Sequence, residues 1–420
     1  MIDQTWVEKV LRTAVAAAAS DVHFKAGEPV LMRIRGELRS IKTPKLSPHQ
    51  TQAILDCLRP AYVAADEVET LQELDFSHAV PGMGRFRVNA FRQRGSFALV
   101  VRIIPLEVPR LQDLNLPDRL PALACEPRGL VLVTGTTGSG KSTTLAAMIE
   151  HINNTRRSHV ITIEDPIEFF FRNKRASIVQ REIGLDTSSF AVALRAALRQ
   201  DPDVIMIGEM RDTETIDIAL KAAETGHLVL STAHTTDATK TVQRILSVFP
   251  PSEQTMMRIR LSECLRGVVS QRLLPRADGV GQIPAVEVMV ATRVIQESIR
   301  DESRTFQIRE FVEKGRHYGM QTFDQALLSL VNRGLITWDV ALTAASSPGD
   351  LDLQRRMGVT ADDDMRIEEH QRFEEDEKNL ELAAPPVAPQ PVASEPDESD
   401  AAADPGDDDT KPPAEIPAGR

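Results

Sequence analysis

The stretch that decides the fold is "GLVLVTGTTGSGKSTTLAAMIEHINN" (129–154). It opens on an apolar run, Leu130 to Val133, with the composition of a strand buried on both faces. It closes on a helical pattern from Lys141 to Asn154. Between them, residues 135–142 fit G-x-x-x-x-G-K-[ST]. Gly135, Gly138 and Gly140 let the backbone wrap with its N–H groups pointing at an anion. The helix starting near Lys141 adds unpaired N–H groups and a positive dipole end. In this pattern Lys141 reaches the β- and γ-phosphates of ATP, and Ser142 ligates Mg²⁺. Thr136, Thr137, Ser139 and Thr143 complete the loop and the first helical turn. A ligand-free glycine turn is the competing reading, and the flanking strand and helix count against it.

Downstream, apolar runs alternate with helical patterns. "HVITIED" (159–165), "DVIMIGE" (203–209) and "HLVLSTAH" (227–234) read as strands. "FAVALRAALRQ" (190–200), capped by Ser188 or Ser189, and "TETIDIALKAAETG" (213–226) read as helices. The alternation predicts an α/β domain with a mostly parallel sheet and helices on both faces. From about residue 252 to 345 the pattern reads as mainly helical.

The strand ends carry the candidate chemistry. In "ITIEDPIEFFF" (161–171), Glu164, Asp165 and Glu168 stand between apolar runs. Such carboxylates are costly to desolvate unless a metal, a cation or a proton compensates them. Ligands of open α/β sheets bind beyond the strand C-termini. Glu209 and His234 end two further strands there. A magnesium nucleotide and its water would supply the missing partners. A carboxylate near the γ-phosphate can orient or deprotonate the attacking water. His234 reads as a γ-phosphate sensor, against the plainer role of a hydrogen-bonded strand-end histidine. His227, seven residues earlier and on the opposite strand face, suits a subunit or domain seam. Arg266 and Arg272 in "ECLRGVVSQRLLP" (263–275) read as helix surface charge.

Residues 1–105 read as a smaller α+β domain. "GRFRVNAFRQ" (84–93) and "SFALVVRIIP" (96–105) form a hairpin about Arg94-Gly95. That register sets Arg87 opposite Arg102, with Arg85 on the same face. They form either a solvated strand face or an anion clamp. Pro109, Pro117, Pro121 and Pro127, following Pro105, make residues 106–127 a linker. Residues 128–345 then form the ATPase domain and 346–420 the tail.

Charge is unevenly placed. The chain has 61 acidic and 49 basic side chains; residues 361–420 hold 19 and 5 of them, leaving a near-neutral 42 and 44 in the body. A nucleic-acid partner is therefore not expected. The acidic, Pro- and Ala-rich tail reads as disordered, either a solubilising appendage or a partner-binding segment. Three scattered cysteines exclude a CxxC zinc ribbon and suit a reducing compartment. The N-terminal segment reads as an amphipathic helix ending before Asp21, without the features of a signal peptide. No window is long enough for a membrane span, so a cytoplasmic protein is expected.

The ordered motifs resemble those of the secretion-type hexameric ATPases, and within them the type IV pilus retraction ATPases (PilT-like). The resemblance rests on "SDVHF" (20–24), "GRFRVNAF" (84–91), the phosphate loop, "ITIEDPIEFF" (161–170), "DPDVIMIGEMRD" (201–212), "AETGHLVLSTAHTTDA" (223–238) and "GMQTFDQAL" (319–327). It implies a homo-hexameric ring of PAS-like N-terminal and RecA-like C-terminal domains. ATP turnover would rotate these domains against each other to work on the inner-membrane platform of the pilus machine. The ring would be peripheral to that membrane, at the pilus base. By matching motif, Glu168 is the catalytic base with Glu164 close by, and Glu209 helps hold Mg²⁺. His227 and His234 are the His-box residues, and Arg87 and Arg102, with Arg85, are offered to the nucleotide. A tetracysteine insert, typical of assembly ATPases, is missing. The retraction motif is reduced to "VIQESIRD" (294–301). The long acidic extension resembles the accessory paralogue (PilU-like), which works with a sister retraction ATPase. A retraction motor is the favoured reading.

Overall fold

The computed structural model describes residues 2–356, apart from Arg35 and residues 61–62, 65–67, 69 and 105–106. The expected disordered tail beyond 356 lies outside the described residues.

The N-terminal part is a helix-backed antiparallel sheet. Helix α1 (Gln4–Ala16) is capped by the Asp3 carboxylate, which accepts from the Trp6 N–H. It buries Val7, Val10, Leu11 and Ala14, one stripe at helical spacing. Strands β1 (Ala19–Lys25), β2 (Leu31–Ile34) and β3 (Glu37–Ser40) follow, then α2 (Pro48–Leu58), closed by a Ser47/Gln50 capping box. Strands β4 (Glu73–Val80), β5 (Gly84–Gln93) and β6 (Ser96–Ile104) complete the order β3-β2-β1-β6-β5-β4. The hairpin turns at Arg94 (φ 52°) and Gly95 (φ 81°), and Arg87 faces Arg102 across it.

The second sheet runs β13-β12-β7-β11-β10-β8-β9. After the short helix α3 (Leu120–Ala124) come β7 (Gly129–Thr134), α4 (Lys141–Thr155), β8 (His159–Glu164) and β9 (Ser177–Glu182). Next are α5 (Phe190–Ala197), β10 (Val204–Ile207), α6 (Thr213–Glu224), β11 (Leu228–Ala233), α7 (Ala238–Ser247) and α8 (Pro251–Cys264). Strands β12 (Leu265–Pro275) and β13 (Gln282–Val290) close the sheet. All its pairings are parallel except β12–β13. Alternate residues go to opposite cores: Leu130 and Leu132 pack on one face, Val131 and Val133 on the other. Helices cover both, which is why the strands read as continuous apolar runs.

Three expectations need correction. Residues 265–290 are not helical. They are two paired strands, because "LRGVVSQRLLP" extends the sheet beside β7 and buries its apolar side chains there. Arg266 and Arg272 therefore sit on a strand: Arg266 donates to the Arg128 carbonyl (3.1 Å) and Arg272 lies over the Phe323 ring (3.9 Å). The proline-rich segment is not a bare linker, since Leu111, Leu120 and Leu123 join the core under β7 and α4. Order also continues past 346. The chain's C-terminal helices are α9 (Arg293–Arg300), α10 (Ile308–Lys314), α11 (Phe323–Asn332), α12 (Trp338–Ala344) and α13 (Pro348–Arg356). Leu351 of α13 is fully buried and Arg355 stacks on Trp338 (4.2 Å). Among the described residues no helix is long and apolar enough to cross a membrane.

One buried carboxyl ties β13 to α7. Glu287, 7% exposed, accepts from the Ala238 N–H at the helix start (2.8 Å). Burial first, then nearby Asp237, push its pKa up to about 7, against that hydrogen bond and the charges of Arg272 and Arg309. The folded state thus holds this proton longer than the unfolded chain does. Its contribution to stability is complete below the unfolded value and is lost as pH rises to about 7. Glu287→Gln should remove that slope, so that its stability relative to the parent rises by up to roughly 3 kcal/mol between pH 4.5 and 7.5. Urea unfolding at the two pH values measures it.

Candidate functional site

The loop between β7 and α4 closes because Gly135 has φ 148° and no side chain. A Cβ there would lie 2.3 Å from Ser139 Oγ and 2.5 Å from the Gln271 carbonyl. Gly140 caps α4 in the left-handed region. Ser139 is buried beneath the loop, while Thr136, Thr137 and Gly138 are exposed on it. Lys141, the first residue of α4, is 8% exposed. Its ammonium donates to the carbonyls of Gly135 (3.0 Å) and Thr136 (2.9 Å). Burial lowers its pKa; the facing charges of Glu168 and Glu209 oppose that.

Above the loop lies a cavity of about 720 Å³, a size suited to a small ligand. Thr137, Gly138, Gly140, Lys141, Ser142 and Thr143 line its floor. The ends of β8, β10 and β11 supply Glu164, Asp165, Glu168, Glu209 and His234. Four strand ends thus meet at one cavity, as the sequence suggested. Within it the acids differ. Glu168 is exposed and accepts from Ser142 Oγ at 3.0 Å. Glu164 is buried, accepts from Thr162 Oγ1 (2.6 Å) and Gln180 Nε2 (3.0 Å), and has its pKa raised by desolvation. It lines the cavity with its oxygens already engaged, one of them also 3.4 Å from the Glu168 N–H. Glu209 pairs with Arg211 (2.7 Å), with His234 Nε2 at 3.6 Å.

Arg87 and Arg102 line the same cavity from the N-terminal sheet. Two of the three arginines are held by different carboxylates of the protein. Arg102 is held by Asp21 (3.0 Å), its register partner on β1, and Arg85 by Glu182 (2.8 Å). His227 is not brought to the cavity. It precedes β11 at the opposite sheet end, where its Nδ1 lies 2.9 Å from the Ala222 carbonyl. A seven-residue separation across a six-residue strand places the two histidines at opposite ends, which the face argument alone left unstated. Sequence reasoning passed over Arg211, Gln180 and Glu182. The last two are alternate polar residues of "SIVQRE" (177–182), a strand the helix–strand alternation did not flag.

The family model for Type II/IV secretion system protein matches residues 2–339. The chain is 46% identical to the type IV pilus retraction ATPase PilT of Pseudomonas aeruginosa, covering 81% of this chain and 98% of that protein. It is 41% identical to the type IV pilus ATPase PilU of the same organism, over 85% of this chain and 93% of that one. A crystal structure of the pilus retraction motor PilT with bound ADP superposes with a TM-score of 0.76 at 45% identity, covering 82% of this chain and 98% of that one. A match along most of the length, with the phosphate loop and strand-end acids in one cavity, places this chain in the type II/IV secretion system protein family.

Proposed function

We propose that the chain is a hexameric motor that hydrolyses ATP to power type IV pilus retraction. The observation that carries this reading is the shared cavity, where Lys141, Ser142, Glu168 and Glu209 meet Arg87 and Arg102 of the N-terminal sheet. The loop N–H groups and the start of α4 hold the phosphates, and Lys141 adds its charge at the β/γ junction. Glu168 takes a proton from the water that attacks the γ-phosphorus, while the bond to the bridging oxygen breaks and ADP leaves. Ser142 and Glu209 offer a hydroxyl and a carboxylate oxygen, the sparse hard-donor set that Mg²⁺ accepts beside phosphate and water. When bound, that ion neutralises charge on the β- and γ-phosphates. Arg87 and Arg102 stabilise the charge spreading over the transferred group.

The N-terminal sheet with α1 and α2 is read as a PAS-like domain and the seven-stranded sheet as a RecA-like one, with boundaries near 105 and 128. Rotation between them works the inner-membrane platform from the cytoplasmic side. Identity supports the main motor over the accessory paralogue, since it is 46% against 41%. In the divergent "VIQESIRD" segment Ile295 and Ile299 are buried, and Arg300 reaches Ser262 (2.8 Å) and Glu263 (3.1 Å). Ile295, Ile299 and Arg300 of the segment therefore serve the fold.

Lys141→Ala and Glu168→Ala should each lower ATP turnover by roughly 100-fold or more, with Glu168→Ala still binding ATP. Near-normal turnover in purified Glu168→Ala removes it from the role of base. Gly135→Ala should weaken ADP binding by at least about tenfold, or 1.4 kcal/mol, measured with a fluorescent nucleotide. Cells lacking the protein should carry excess pili that do not retract. Bald cells would point to assembly, and failure only under load to an accessory role. Salt-sensitive stimulation of the ATPase by DNA would favour a nucleic-acid motor instead.

A further inference from the structure

The loop that carries Glu168 is gripped from the edge of the sheet. Gln180 and Glu182 lie two apart on β9 and so share a face. Gln180 donates to the Phe169 carbonyl (2.8 Å) and to Glu164 (3.0 Å), and accepts from the Phe171 N–H (3.0 Å). Glu182 stands beside Glu164 in the parallel register, and its side chain is about 5% exposed. Its Oε2 lies 3.4 Å from the N–H of Ile167, the residue before Glu168. The stronger donors to this carboxylate come from the other sheet. Ser77 of β4 reaches Oε1 at 2.7 Å, and Arg85 of β5 reaches Oε2 at 2.8 Å.

We propose that Glu182 is a positioning residue, a latch through which the N-terminal sheet holds the Glu168 loop in its working place. A buried carboxylate needs a compensating charge, and Arg85 provides it. Without that partner the carboxylate is left nearly uncompensated in a poorly solvated seam and must find other donors. Its long contact to Ile167 is the one most easily lost. Arg85 and Arg87 are two residues apart on β5, so one rigid strand presents Arg85 to the latch and Arg87 to the cavity. Displacement of that strand withdraws both together. The latch would therefore make hydrolysis sensitive to the relative position of the two sheets. The proposal rests on the reading of Glu168 as base.

The test uses the full chain. kcat and KM for ATP are measured for Arg85→Ala, Ser77→Ala, Glu182→Gln and the Arg85→Ala/Glu182→Gln double variant. Deuterium uptake is followed over residues 165–171. Arg85→Ala and Glu182→Gln should each lower kcat by about 10- to 100-fold, as expected for a misplaced catalytic group, and move KM less than about threefold. The double variant should be no worse than the poorer single one. Arg85→Lys should recover part of the loss, and the segment should exchange faster in Arg85→Ala. Parental kcat in Arg85→Ala, additive losses, or a raised KM with kcat intact would overturn the latch. If Glu182→Gln folds poorly, Arg85→Ala and Ser77→Ala decide the matter. A parent protein that hydrolyses no ATP would defeat the reading of Glu168; exchange would then decide the latch alone, with unchanged uptake in Arg85→Ala counting against it.

Discussion

The site depends on keeping one ammonium group charged at the rim of an apolar sheet. Lys141 follows directly on the phosphate loop and is nearly buried, so water cannot solvate it. Two loop carbonyls, of Gly135 and Thr136, take that place, and Glu168 and Glu209 face it across the cavity. The carbonyls can point inward because the loop turns too tightly at Gly135 for any other residue. Backbone shape, lysine charge and strand-end acids are thus one electrostatic arrangement. An incoming polyanion would complete it rather than create it.

The cations around the cavity are held by partners of different strength. Arg102 is anchored by Asp21, a 5% exposed aspartate in the adjacent strand, and Arg211 pairs with Glu209. Both arginines are largely exposed, so their pairs orient side chains more than they stabilise the fold. Arg85 and Glu182 are more enclosed, and losing either partner would be costly there. The enclosed pair lies where the two sheets meet, which is where a rigid link has mechanical meaning. Surface pairs elsewhere carry little of that load.

Much of this arrangement is local in sequence. The glycine spacing with its lysine and serine needs only neighbouring residues to state its chemistry. The Arg94-Gly95 turn sets the hairpin register, and with it the pairing of Arg87 with Arg102. Apolar strands such as Val204–Ile207 declare a doubly covered sheet, and Ser189 caps its helix by accepting from the Val192 N–H. The reading failed where a segment's partner is distant. Residues 265–290 become strands because β7 offers an open edge, not because of a helical or turn signal of their own. Leu120 and Leu123 sit among prolines yet find a core.

By itself the sequence determined the phosphate loop, the strands and helices from β7 to β11 apart from β9, and the list of acids able to serve the loop, because each is a short-range pattern of backbone freedom or side-chain period. The tertiary structure alone decided which acid is exposed at the cavity and which is buried on internal hydrogen bonds. It also decided that Glu182 answers to Arg85 and Ser77 some hundred residues earlier. Those outcomes turn on desolvation and on which charge happens to be packed opposite, and no spacing along the chain encodes them.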